Sequence, residues 1–132
     1  MQQHNDNTEV LVTKDTENAG PIPSAWRPIL ENIVDAFVRH DYRLTNGVTG
    51  VAPVSEKTAT QIREYIHEYG ATLIALPKDS WDTSVCIWMV DHWDALIDLW
   101  TKDEGRSDLV LQVRVSEVGG EYVVTVYMVY VP

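Results

Sequence analysis

Two stretches in the first half of the chain carry apolar residues at the three- to four-residue spacing of one helical face. The first runs to about His40, with Ser24 as a candidate cap and Pro28 in the first turn. Its apolar positions are Ile29, Ile33, Val34, Phe37 and Val38. The second follows Ser55, a favourable cap, and ends before Gly70, which can supply a left-handed stop. These patterns predict two amphipathic helices.

From Ser84 onward the chain changes to a period of two and becomes rich in Val, Ile, Trp and Tyr, as in strands. The predicted strands cover residues 84–90, 93–101, 108–117 and 121–131, and a short apolar run at 72–76 is a candidate edge strand. Short breaks between strands favour antiparallel neighbours, because a parallel crossover needs a dozen or more residues. We therefore predict an α+β fold, with two N-terminal amphipathic helices packed on one face of a four- to five-stranded, mainly antiparallel meander.

The chain is long enough for one domain with a good core and too short for two. Residues 1–20 are mostly polar and bury too little to offset their ordering entropy. We expect a flexible polar tail at residues 1–20 and a single α+β domain at residues 21–132.

The clearest turn is the pair Gly119-Gly120, which suits a two-residue hairpin loop. Such a loop would place Arg114 opposite Thr125 and Gln112 opposite Tyr127. The face predicted to be core then carries Leu109, Leu111, Val113, Val115, Val124, Val126 and Met128. The opposite face carries Gln112, Arg114, Ser116, Thr125 and Tyr127, and is half polar.

Period two on the run 93–101 places Asp94, Leu96, Asp98 and Trp100 on one side, opposite Trp93, Ala95, Ile97 and Leu99. If the polar faces of neighbouring strands coincide, these residues share a surface with Gln112, Arg114 and Tyr127. Trp, Tyr and Arg are the side chains that concentrate binding energy at interfaces, so this face is a candidate recognition surface. The alternative is a solvated face that carries an ordinary Asp–Arg cross-strand pair.

A charged turn, residues 102–108, joins the two predicted central strands. An arginine between carboxylates, as Arg106 lies between Glu104 and Asp108, can form a bidentate pair that locks a loop. A catalytic pair formed by Glu104 and Asp108 is the competing possibility, but no nucleophile accompanies it, and no catalytic residue is assigned. The full set of candidate binding residues is Asp94, Asp98, Trp100, Glu104, Arg106, Asp108, Gln112, Arg114 and Tyr127.

The net charge of the chain limits the kinds of molecule that it is expected to bind. The chain has 20 acidic and 10 basic residues, for a net charge of −10. From Asp79 onward there are ten acidic residues and three basic ones. This balance argues against nucleic acid and against anionic membrane surfaces, and it suits a basic protein partner. Monomer and homodimer both stay open.

Little in the sequence indicates a cofactor or a metal. Glu64 and His67 have the three-residue spacing of a metal-binding pair, but one such pair falls far short of a di-iron site. The lone cysteine, Cys86, lies in an apolar run, which is typical of a buried inert thiol. No stretch approaches the roughly 20 apolar residues of a membrane span, and no signal pattern is visible at the N-terminus. A cytoplasmic location is expected by default.

One string is specific enough to compare with known families. Trp93-x-x-Leu96-Ile97-Asp98-Leu99-Trp100-Thr101, followed by Glu104-Gly105-Arg106-Ser107-Asp108-Leu109, resembles the signature of a small bacterial domain family that brings no known activity. Tyr69-Gly70, Leu76-Pro77, Trp81, Trp88 and the closing Val131-Pro132 resemble the same pattern, so the resemblance covers about residues 22–132. By class analogy in size and acidity, the domain is also similar to immunity proteins that neutralise bacterial toxins.

Three functions follow as hypotheses, and the first is the leading one. The domain could be an acidic protein-binding module, such as an immunity protein or another inhibitor of a basic toxin. It could instead bind or convert a small molecule in a pocket between helices and sheet, with His92, Asp98, Arg114 and Tyr127 as polar groups. It could also be a subunit of a homo-oligomer that pairs through the apolar segment 122–131.

Overall fold

A computed structural model describes residues 8–132 of the chain. Helix α1 spans Arg27–Val38 and helix α2 spans Glu56–Tyr69. Two short 3₁₀ helices lie at Ser24–Trp26 and Lys78–Asp82. Four strands follow: β1 at Val85–Trp88, β2 at Trp93–Thr101, β3 at Gly105–Val118 and β4 at Glu121–Tyr130.

The four strands form one antiparallel sheet in the order β1-β2-β3-β4. The predicted α+β class, the meander and the two helices are confirmed. The stretch from Trp93 to Val115 forms the two central strands, since β2 and β3 pair with Trp93 opposite Val115. The second helix begins as predicted, because the Ser55 hydroxyl accepts a hydrogen bond from the Thr58 backbone N–H at 3.1 Å. Gly70 ends it with a φ of 83°.

One face of the sheet, the core face, is fully apolar at its centre. Its buried positions are Trp93, Ala95, Ile97 and Leu99 on β2, Leu109, Leu111, Val113 and Val115 on β3, and Val124, Val126 and Val129 on β4. The same cluster includes Leu30, Ile33, Val34 and Phe37 of α1, and Ile62 and Ile66 of α2. Burial alternates strictly along β2, which is the period expected where one face is covered and the other is open.

The predicted register of the last hairpin is correct near the turn and wrong further along. Arg114 lies opposite Thr125 as predicted, but Gln112 pairs with Met128 rather than with Tyr127. A bulge in β4 inserts one extra residue, which reverses the alternation beyond Val126. Met128 is therefore half-exposed and Val129 takes the buried position that the sequence assigned to Met128.

Two local predictions in the first half of the domain need correction. Ser24 does not cap α1: its hydroxyl accepts the Val10 backbone N–H at 2.7 Å, and the cap position is Trp26. The run at 72–76 forms only an isolated bridge, with Leu73 opposite Thr101, and not a fifth strand. It lies beside the end of β2 that the short β1 does not reach.

Both edges of the sheet are partly occupied. On β4, Val124 donates its N–H to Gly50 O and accepts from Ala52 N–H, both at 2.8 Å. The Gln61 side-chain amide donates to Val129 O at 2.8 Å and accepts from Val129 N–H at 3.3 Å, as a neighbouring strand would. On β1, Cys86 exchanges two backbone hydrogen bonds with Gly20. Occupied edges resist the addition of a strand from another chain.

Part of the segment assigned to a tail contacts the domain. The carbonyl of Thr13 accepts the Trp93 indole N–H at 2.8 Å, and the Lys14 ammonium lies 5.1 Å from the centroid of the Trp88 ring. Residues 1–7 of the predicted tail lie outside the described residues. Within residues 8–132, no helix has both the length and the apolar character needed to cross a bilayer.

Candidate functional site

The face of the sheet opposite the core, the outer face, carries three rows of side chains that run across the strands. The strand registers define the rows. One row is Ile87, Asp94, Arg114 and Thr125; the next is Val85, Leu96, Gln112 and Met128; the third is Asp98, Val110 and Tyr130. All but Thr125, which is exposed, and Val110, which is buried, are half-exposed. An apolar row interrupted only by Gln112 thus lies between two rows that carry carboxylates.

Asp94 is at the centre of a charged cluster at one end of this face. Its Oδ1 lies 3.4 Å from His92 Nε2 and 4.0 Å from Arg114 Nε. On its other side, the His92 ring contacts the Asp91 carboxylate through Nδ1. The Asp94 side chain is only 18% exposed, so the carboxylate is partly withdrawn from water. The predicted Asp–Arg cross-strand pair is therefore present, at the long end of the ion-pair range.

Three atoms of this cluster are buried and form no hydrogen bond within the described part of the chain. They are Asp94 Oδ1, His92 Nε2 and Arg114 Nε. Their separations exceed good hydrogen-bond lengths, so the three side chains lie close together without completing a directional network. The side chains of this cluster can therefore still donate and accept hydrogen bonds with a binding partner.

Tyr127 extends the cluster toward the sheet edge. The Arg114 guanidinium carbon lies 5.2 Å from the centroid of the Tyr127 ring, within the range of a cation–π contact. The β4 bulge brings both Tyr127 and Met128 out of the core face. A half-exposed aromatic ring held by an arginine presents a rigid contact surface at low entropic cost.

The opposite end of the face holds the other candidate residues. Asp98, Arg106 and Asp108 line a shallow depression with Ser107, Val110 and the chain end at Val131-Pro132. Trp100 lies opposite Arg106 in the strand pairing, and its ring covers Gly105. The structure thus brings Asp98, Arg106 and Asp108 together, and Asp94, Gln112, Arg114 and Tyr127 form a separate group.

Glu104 points away from both groups. Its carboxylate accepts hydrogen bonds from the Tyr69 hydroxyl, at 2.8 and 3.0 Å, and from the Thr101 hydroxyl at 2.9 Å. The Tyr69 oxygen in turn accepts the Asp108 backbone N–H at 3.2 Å. These residues fasten the β2–β3 turn to the end of α2. A locked turn was predicted, but its partner is Tyr69 and not Arg106, for which residues 8–132 provide no ion pair.

This fastening changes the acidity of Tyr69. The Asp108 N–H favours the phenolate and lowers the pKa of Tyr69. Burial, the hydrogen bond to Glu104 and the negative charges of Glu104 and Asp108 act the other way and outweigh it, so the pKa is raised. Tyr69 is therefore held as a neutral donor to Glu104, which suits a structural role.

The space between helices and sheet does not hold the polar groups predicted for a ligand pocket. Asp98, Arg114 and Tyr127 all lie on the outer side of the sheet, and His92 lies at its end. An open cleft of about 980 Å³ lies instead between the ends of the helices, where His40, Tyr42, Arg63 and His67 contribute to its lining. Within residues 8–132 no group of three His, Cys, Asp or Glu side chains is arranged to hold a metal ion.

Sequence inspection missed the apolar part of the outer face. The alternation along residues 93–101 placed Leu96 on the same side as Asp94 and Asp98, but Val85 and Ile87 were assigned only to a strand, because apolar strand residues are normally assigned to the core. The pairing of β1 with β2 places Val85 beside Leu96, and Ile87 beside Asp94. The strict alternation around Leu96, between two aspartates at 94 and 98, was the available signal.

Cys86 is buried on β1. Burial, together with the nearby charge of Asp94, raises the pKa of its thiol to about 12. At neutral pH the side chain is therefore a protonated, poorly nucleophilic thiol, as the sequence indicated.

Comparison with known proteins identifies the family. No curated protein and no solved structure matches the chain significantly. A family model described as a domain of unknown function, DUF7668, matches residues 34–132. The match begins within α1, although Ile22, Trp26 and Leu30 before it are fully buried in the same core. The chain therefore belongs to the DUF7668 family.

Proposed function

We propose that this domain is an acidic protein-binding module whose outer face recognises a basic protein. The observation that carries the proposal is the arrangement of that face. An apolar row, Val85, Leu96 and Met128 around Gln112, lies between Asp94 on one side and Asp98 on the other. Interfaces combine an apolar centre with charged and polar groups at the rim, and this surface has both.

Electrostatics support a basic partner. Ten of the 13 charged Asp, Glu, Lys and Arg residues from Asp79 onward are acidic, and this segment contains the whole sheet. A negative surface accelerates association with a positive partner and suppresses binding to nucleic acid. Asp94 and Asp98 would pair with lysine or arginine side chains of the partner, while Tyr127 and Trp100 contribute contact area.

The occupied sheet edges favour binding through side chains of the face. Strand addition to β4 would have to displace the contacts of Gly50, Ala52 and Gln61 with Val124 and Val129. In this proposal the two N-terminal amphipathic helices cover the core face and leave the outer face free. For the same reason, binding to a different protein is favoured over a homo-oligomer formed through β4.

An inhibitor of a basic bacterial toxin is the finer form of the proposal. A toxin that cleaves or modifies nucleic acid carries a cationic site, and an acidic face could cover it. Such an inhibitor would act in the cytoplasm of its bacterial host.

Affinity capture from the host cell at low and at high salt, followed by mass spectrometry, tests the proposal. We expect a basic protein that is retained at low salt and released at high salt. The double variant D94N/D98N should lose it, whereas E64Q/E68Q, which changes the net charge equally on the exposed side of α2, should retain it. Capture that is insensitive to salt and to D94N/D98N would contradict the proposal. Absence of a partner at both salt concentrations would transfer the search to small molecules and the helix-end cleft.

A further inference from the structure

The meander brings two turns to one end of the sheet. The β1–β2 turn, Met89 to His92, is closed by a hydrogen bond from Met89 N–H to His92 O at 2.7 Å. The β3–β4 turn at Gly119-Gly120 lies at the same end, because antiparallel neighbours alternate in direction. Both turns expose large apolar side chains: Met89 is 45% exposed, Val90 74% and Val118 59%. We call these three residues the tip.

The backbone at Val90 is strained. Its φ is 81°, in the left-handed region that disfavours β-branched side chains. Among the described residues, only His40, Leu44 and Val90 combine a positive φ with a side chain larger than hydrogen. The neighbouring hairpin meets the same demand with glycine, at Gly119 and Gly120. Val90 therefore destabilises the turn relative to glycine, and its side chain recovers little burial in return.

The surroundings of the tip are acidic and aromatic. The side chain of Asp91 is 82% exposed, and Glu121 is exposed at the start of β4. The Lys14 ammonium pairs with Glu117 at 3.0 Å and lies over the Trp88 ring. Because Lys14 is paired with Glu117, its charge does not neutralise Asp91 and Glu121. The rings of Trp88 and Trp93, which flank the turn, contact each other with centroids 4.5 Å apart and planes tilted by 50°.

We propose that the tip is the apolar anchor of the partner interface, and that Val90 contributes to binding at the expense of stability. The inference rests on the proposed function and extends it. The partner must present an apolar pocket or side chain surrounded by lysine and arginine, so that Met89 and Val90 enter the apolar part while Asp91 and Asp94 meet the cations. Strain stored at an exposed residue is typical of binding sites, where the bound state uses a conformation that the free fold does not favour.

A phage-displayed library of random peptides, selected on the full chain, provides a defined probe. We expect the enriched peptides to combine basic residues with at least one large apolar residue. They should bind M89S/V90S at least tenfold more weakly, while L11S, which alters an exposed apolar residue outside both turns and outside the outer face, changes affinity less than threefold. Circular dichroism confirms that each variant is folded.

The outcomes separate the two proposals. Basic peptides that lose binding to D94N/D98N but bind M89S/V90S normally would overturn the tip and leave the outer face as the interface. Failure to enrich basic peptides would overturn both. A further, partner-free readout is V90G, which should unfold at a higher temperature than the natural chain and still bind the peptides more weakly. Equal or lower thermal stability of V90G would show that Val90 is not strained and would remove the stability–binding conflict on which the inference depends.

Discussion

The two turns that flank β2 meet the same geometric requirement with different residues. Each needs one residue with positive φ to reverse the chain. In the β2–β3 turn that residue is Gly105, with φ 76°, and the adjacent Glu104 is fastened by Tyr69 and Thr101. In the β1–β2 turn it is Val90, with φ 81°, and the polar atoms nearby are incompletely paired.

The two ends of the sheet therefore differ in how well the local sequence suits the conformation adopted. At the Gly105 end, glycine occupies the position of positive φ and the Glu104 carboxylate accepts hydrogen bonds from Tyr69 and Thr101, although the indole N–H of Trp100 has no partner among the described residues. At the Val90 end, the backbone preference of a β-branched residue conflicts with the positive φ that the turn adopts. Natural sequences are consistent across levels except where function demands otherwise. The contrast is the reason that we propose recognition at the Val90 turn and expect a structural role for the Gly105 turn.

The largest expected effect comes from exchanging the residue types of the two turns. Gly105→Val places a β-branched side chain at φ 76°, and its Cβ would meet the Trp100 ring at 3.6 Å. We expect this variant to lose about 2–3 kcal/mol of unfolding free energy because of backbone strain. Urea denaturation measures it, with Gly20→Val as the control, since Gly20 has open space for a Cβ and no positive φ. A loss below that of the control would remove the contrast between the turns.

The next effect concerns the fastening of the β2–β3 turn. Tyr69→Phe removes the donor to Glu104 and the acceptor for the Asp108 N–H. About 1 kcal/mol of stability should be lost, as for one hydrogen-bonding group near the surface. Tyr65→Phe is the matched control on the same helix, because its hydroxyl makes only a weak bond at 3.4 Å from Val131 N–H. If the two variants unfold alike, Tyr69 does not fasten the turn.

A smaller change of opposite sign is expected at the other turn. Val90→Gly relieves the strain but adds conformational entropy to the unfolded chain, so the net gain should be about 0.5–1 kcal/mol. Val90→Ala shortens the side chain but keeps the Cβ, and should gain less. Thermal unfolding of the three proteins should therefore rank glycine above alanine and alanine above valine. The reverse ranking would contradict strain at Val90.

The smallest effect tests whether β1, which leads into the strained turn, stays closed. Cys86 lies on β1, and burial holds its thiol pKa at about 12. A thiol-reactive dye at pH 8 should therefore label urea-unfolded protein rapidly and native protein only at the rate of global unfolding. Fast labelling of the native chain would mean that β1 frays and that the strain at Val90 is relaxed in solution.

The Cys86 thiol also makes the free energy of unfolding depend on pH. Its pKa is higher in the folded state than its ordinary value of 9.0. Below pH 9 the thiol is protonated in both states, and its contribution to stability is complete. Above pH 9 the unfolded chain releases the proton first, so that contribution is lost progressively up to about pH 12.

The sheet was predictable from sequence because its signals are local. The run 93–101 forms β2 with the predicted bounds, since each step of the alternation is satisfied on one strand. Register also followed from Gly119-Gly120 as far as Val113 opposite Val126. It failed beyond this point because the segment 126–131 is apolar at almost every position. When every position is apolar, either set of alternate residues can face the core, so the sequence does not indicate the register or the bulge.

The candidate site was only partly predictable, because its essential contacts are not local. The alternation on β2 indicated that Asp94 and Asp98 share a face with Arg114. The fastening of Glu104 by Tyr69 spans 35 residues and has no signature in sequence. Val90 was missed because positive φ is inferred from glycine or asparagine, and the turn after Trp88 contains neither.

Nuclear magnetic resonance mapping tests the central claim most directly, that the tip and the outer face recognise a basic partner. The ¹⁵N-labelled full chain is titrated with the tightest peptide from the selection, and amide shifts are followed residue by residue. We expect the largest shifts at Met89 to Asp94, at Val118 and along Gln112 and Arg114, and we expect them to shrink as salt is raised. Shifts concentrated around His40, Arg63 and His67, or unchanged at high salt, would contradict the central claim and would place recognition in the cleft between the helix ends.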